Sequence, residues 1–139
     1  MFVLPMPITA ILLAAIAYWL LGAAWYSLLF GKLWAADQES RGLRLTKPAG
    51  AQLVTRLVLT FLGTFLAATA VAWVLQCFSV NNAAVATRLS LVLGLGIAAA
   101  TLLIGPTWEG KPLRLFLIDA LYHLVGIWLC AMVLLQWRR

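Results

Sequence analysis

The sequence predicts an all-α fold, an integral membrane four-helix bundle in a single domain, and three observations carry that prediction. Of 139 residues, 65% are hydrophobic and 10% charged, with a mean hydropathy of +1.02, against roughly 45–50% apolar and about 25% charged in ordinary soluble domains. A chain this short cannot hide so much apolar surface in one soluble core, so lipid has to cover the rest. The charged residues also cluster between uncharged runs long enough for a hydrocarbon core, which needs about 20 helical residues. Finally, the seven Trp suit the aromatic belts of a membrane interface.

The first span is placed at 8–30, within a stretch that carries no charged side chain before Lys32. A secretory signal would have a basic leading segment and a shorter apolar run, so this stretch is read as a true span. Residues 32–48 hold Lys32, Asp37, Glu39, Arg41, Arg44 and Lys47, with Gly31, Gly42 and Pro48 as breakers, and are read as the main loop. The second span falls at 51–78 and the third at 84–104, separated by a turn at Asn81-Asn82. Gly105-Pro106 should end the third helix, making 105–111 a second loop, and Pro112 suits the first turn of a fourth span at 112–136.

Four spans put both termini on one side. The face after spans one and three carries Lys32, Arg41, Arg44, Lys47, Arg56, Lys111 and Arg114, against Arg88, Arg138 and Arg139 on the other, so the positive-inside rule predicts loops 32–48 and 105–111 in the cytoplasm and both termini outside. The net charge of +6 is explained by those loops meeting anionic headgroups. No basic stripe with interleaved aromatics is present, so no nucleic-acid partner is expected. Membrane lipids, a second copy of the chain with a dimer favoured, and another membrane protein are the partners that remain.

Helices in lipid associate through small residues rather than hydrophobic burial. Gly63/Ala67, Gly94/Ala98, Gly96/Ala100 and Gly126/Cys130 have the required spacing, and the third span is expected to pack through its glycines. Cys77 and Cys130 lie at different depths in their helices, which argues against a disulfide, and they read as packing residues.

The polar residues inside the spans are the functional candidates. Asp119 and His123 stand one turn apart on one face of the fourth span, continued by Gly126 and Cys130. A carboxylate at membrane depth costs roughly 2.5–3.5 kcal/mol even on the lenient insertion scale, so Asp119 should face the bundle and have a partner. His123 and Arg56 are the two candidates. Whatever the orientation, the end of span one, the start of span two, the end of span three and the start of span four share one membrane face. The ligand- or proton-site candidates therefore gather there as a polar vestibule: Asp119, His123, Tyr26, Trp25, Arg56 and Glu109. Each has a plainer reading, as a structural pair for Asp119 and His123, belt aromatics for Trp25 and Tyr26, a headgroup anchor for Arg56, and a helix-end device for Glu109. Arg114 too reads as a headgroup anchor.

Two motifs carry a resemblance. Trp25-Tyr26-Ser27-Leu28-Leu29-Phe30-Gly31-Lys32-Leu33-Trp34, then Glu109-Gly110-Lys111-Pro112 and Leu115-Phe116-Leu117-Ile118-Asp119-Ala120-Leu121-Tyr122-His123-Leu124, resemble the bacterial family known as domain of unknown function 1761. The resemblance covers nearly the whole chain and implies a small four-span protein of a bacterial cytoplasmic (inner) membrane, but brings no established activity. The chain departs from the family at Leu28, where proline is common, and at Asp119, where asparagine is common.

The function these readings favour is non-enzymatic: a transport, channel-like or membrane-partner-binding module using the polar vestibule. No catalytic residue, metal ligand or cofactor is assigned. The alternatives are an intramembrane enzyme acting on a lipid or lipid-linked substrate, with His123 as base and Asp119 as its orienter, and a purely structural oligomeric scaffold.

Overall fold

A computed structural model describes residues 6–42 and 47–138. Arg44 and Arg139, counted among the basic flanks, lie outside the described residues. Four helices are long and apolar enough to cross a membrane: α1 (Ile8–Leu29), α3 (Gly50–Cys77), α4 (Ala83–Glu109) and α5 (Leu113–Leu135). A shorter helix, α2 (Gly31–Ser40), lies between α1 and α3. Helix satisfies every backbone group from within the segment, which is what a lipid environment demands of such apolar runs.

Helix α5 is the hub. It packs against α1, α3 and α4, and 39% of its most apolar stretch is buried, against 17% for α4. Its pairing with α1 shows how small residues set the geometry. Cys130 Sγ donates to the Ala14 carbonyl at 3.4 Å. The Tyr18 ring fills the space over Gly126, where any Cβ would overlap it. Tyr122 in turn fills the space over Gly22, where a Cβ would stand 2.8 Å from its hydroxyl. These contacts advance four residues along α1 while retreating four along α5, the register of an antiparallel pair. The stripe Gly126/Cys130 is therefore an interface, as its spacing suggested. In α4, Gly94 packs on Leu124, its Cβ position 3.2 Å from that residue's Cα, whereas Gly96 and Gly63 face open space.

Two segments differ from the sequence reading. The main loop 32–48 contains α2, because Lys32, Leu33, Ala35, Ala36, Gln38 and Glu39 are good helix formers and their charges point away from the bundle no less easily in a helix than in a loop. It stops where Gly42 takes a left-handed conformation (φ 76°) and donates its N–H to the Glu39 carbonyl at 2.9 Å. The third helix also runs through Gly105-Pro106 to Glu109. Proline removes one hydrogen bond near the helix end, too little to stop it, and the stop comes at Gly110 (φ 65°), after which Lys111 N–H bonds the Pro106 carbonyl at 3.1 Å. Asn82 does more than turn: its side chain caps α4 by accepting from Val85 N–H at 2.9 Å.

Candidate functional site

The last turn of α1 is wide. Phe30 N–H bonds the Trp25 carbonyl five residues back, at 2.9 Å, and such wide turns recur at functional positions. Here two consecutive side chains reach α5. Trp25 is buried and donates its Nε1 to the Ile118 carbonyl at 3.1 Å; Tyr26 donates its hydroxyl to Asp119 Oδ1 at 2.5 Å. One turn deeper, the Tyr18 hydroxyl and His123 Nδ1 are hydrogen-bonded at 2.5 Å. Tyr122 stacks into the same group, its ring centroid 5.2 Å from Tyr18, 5.4 Å from Tyr26 and 4.8 Å from His123.

Asp119 and His123 share a helix face but do not pair. Each is held by its own tyrosine from α1, because that helix lies close enough for both hydroxyls to reach across, while an aspartate side chain is short and one helical turn away from the imidazole. Arg56 is not the partner of Asp119 either. It is exposed on α3, with no ion pair to a described residue, and the nearest polar link from α3 to α1 is instead Trp19 Nε1 donating to Thr60 Oγ1 at 3.1 Å. Trp25 is a core residue locking α1 to α5 rather than a belt aromatic or a wall of the site. Glu109 is more than half exposed and forms an ion pair with Lys111 at 2.5 Å.

What Tyr26, Asp119 and His123 do share is a cavity. With Trp34 and Leu102 they line a space of about 440 Å³. A second space of about 360 Å³ adjoins it through Trp34, Leu102 and Asp119 and reaches out to Gln38, Thr101 and Lys111. Two of its walls come from α2, one helical turn apart. A residue between them, Asp37, is buried and receives two hydrogen bonds from Arg114 of α5, from Nε to Oδ2 at 2.6 Å and from Nη2 to Oδ1. This bidentate pair seats α2 over the start of α5.

The sequence pattern of the family described as protein of unknown function (DUF1761) matches residues 9–135. The chain belongs to that family. No curated protein and no solved structure matches it. The DUF1761 match spans all four long helices and α2, so the cavity lies wholly within the family region.

Sequence reasoning missed Tyr18, Trp34 and the Asp37–Arg114 pair. Tyr18 belongs to a stripe with Ala10, Ala14 and Gly22 at steps of four, a signal that was readable. Trp34 stood inside the first family motif, but its role depended on α2 being a helix. Nothing local marks Asp37, rather than Glu39 two positions on, as the buried acid of this charged segment. Among the described residues, no group of three His, Cys, Asp or Glu side chains could hold a metal ion.

Proposed function

We propose that this multi-pass membrane protein is a non-enzymatic binding module, a small transport or channel-like component or the partner of another membrane protein, with the cavity at Asp119 as its ligand site. The supporting observation is the convergence of one carboxylate and the rings of Tyr26, Trp34 and His123 on a single open-sided pocket of a largely apolar bundle. No serine or cysteine lines that space to serve as a nucleophile. The positions of Lys32, Arg41, Lys47, Lys111 and Arg114 favour a cytoplasmic placement for the loops after α1 and α4, with both termini outside, in a bacterial cytoplasmic membrane. The low burial of α4 favours a second copy, most simply as a dimer.

Flux through proteoliposomes, measured for the native chain, Asp119→Asn and His123→Ala, tests the reading together with affinity capture of membrane partners. Activity that depends on Asp119 is the expected result; the absence of both flux and a captured partner would sink the reading. A second reading, an intramembrane enzyme acting on a lipid or lipid-linked substrate, draws support from His123 lining the cavity. In that scheme Tyr18, not Asp119, orients the imidazole, and His123→Ala would abolish turnover while leaving ligand binding intact.

A further inference from the structure

We propose that the cavity at Asp119 binds an organic cation, an alkylammonium group seated against the Asp119 carboxylate and walled by the rings of Tyr26 and Trp34. The inference rests on the binding-module reading and gives its ligand a chemical class.

The chain has ten Lys+Arg and four Asp+Glu, so cations are plentiful, yet the basic residues nearest the cavity are engaged elsewhere. Arg114 is bound by Asp37 and Lys111 by Glu109. Asp119 receives only the neutral Tyr26 hydroxyl as a hydrogen-bond donor, and among the described residues it forms no ion pair. Asp119 is half-buried and faces a cavity within the membrane-spanning bundle. A carboxylate in that setting is stabilised chiefly by a cation, and none of the described basic residues pairs with it.

The walls select among cations. A hard metal ion needs several oxygen ligands, six to eight for calcium, and no acidic cluster of that kind stands among the described residues. Aromatic rings beside a single carboxylate are instead the surroundings that suit a soft, methylated or alkylated ammonium, through the attraction between a cation and a ring face. The Tyr26 and Trp34 rings stand nearly perpendicular with centroids 6.5 Å apart, giving two differently inclined walls. The volume of about 440 Å³ falls within the roughly 300–1,000 Å³ of small-molecule sites. The ammonium could belong to a choline or ethanolamine lipid headgroup or to a free amine, since both present the same group.

The test uses the full chain in nanodiscs of phosphatidylglycerol, whose headgroup carries no ammonium. Tetramethylammonium chloride is titrated against sodium chloride at constant ionic strength, with tryptophan fluorescence and calorimetry as readouts. A saturable response in the native chain is expected, weakened at least about tenfold in Asp119→Asn by loss of the charged contact. Trp34→Leu is expected to weaken it about threefold, and it carries the test if Asp119→Asn does not fold. Repeating the titration in phosphatidylcholine or phosphatidylethanolamine nanodiscs separates the sources: apparent weakening by competition assigns a headgroup, and an unchanged affinity assigns a free amine. A response in the native chain that never saturates, or native affinity in both variants, overturns the proposal. Acetate and the neutral isostere neopentyl alcohol are titrated in parallel. If either saturates the site while tetramethylammonium does not, the cation class falls and the binding-module reading stands; if no probe saturates it and no flux is seen, both fall.

Discussion

Asp37, which falls in sequence between two cavity-lining residues of α2, and Asp119, which lines the cavity itself, are carboxylates held in opposite ways. Asp37 is 1% exposed and receives both arms of a guanidinium from the next helix but two. Asp119 is half-buried, has one tyrosine hydroxyl, and looks into open space. The first arrangement engages both carboxylate oxygens and serves to fix α2 in place. The second has no cation beside it among the described residues, which is the opening the proposed ligand would use.

That contrast can be broken most severely at Arg114. Arg114→Met strands the Asp37 carboxylate in the bundle without a cation, and a loss of about 3 kcal/mol is expected in unfolding by denaturing detergent. Adding Asp37→Asn to that variant should recover part of the loss, because the stranded charge is then gone; no recovery would mean that Asp37 does not carry the cost. Next in size, Gly126→Ala forces a methyl group into the Tyr18 ring and disturbs the frame that presents both acids. About 2 kcal/mol of destabilisation is expected from overpacking, with Gly63→Ala, which faces open space, as the silent control in the same assay.

Smaller effects sharpen the difference at Asp119. Tyr26→Phe removes its donor, but water in the cavity can replace a hydroxyl, so about 1 kcal/mol is expected, far less than at Arg114. Smallest of all, Asp119→Asn keeps an oxygen for Tyr26 and should change stability by less than about 0.5 kcal/mol while removing ligand response. If Asp119→Asn proves as damaging to folding as Arg114→Met, the two acids are alike and the contrast fails.

Much of the fold was legible because hydropathy is additive along the chain. Runs such as 57–87, without a charged residue, must leave water whatever their neighbours do, and four of them define the bundle. The antiparallel register of α1 and α5 was also partly readable, since Ala14, Tyr18 and Gly22 repeat at the same step as Tyr122, Gly126 and Cys130. The candidate site was legible only in outline. Asp119, His123 and Tyr26 were assigned to one membrane face by topology alone, and they do meet at one cavity, whereas Arg56 and Glu109, placed there by the same argument, turn outward. Topology fixes depth along the membrane normal, but not the rotation of each helix about its own axis.

The sequence by itself determined that the chain enters lipid as four long helices, that its polar residues collect toward one end, and that small residues would set the spacing between helices. Only the tertiary structure decided who pairs with whom. It gave Asp119 to Tyr26, His123 to Tyr18 and Asp37 to Arg114, and it turned a charged loop into a helix that walls the cavity with Trp34 and Gln38. The physical reason is range: burial in lipid depends on a summed property of about 20 neighbours in sequence, while a hydrogen bond depends on ångström-scale positions of two atoms that the chain separates by many tens of residues.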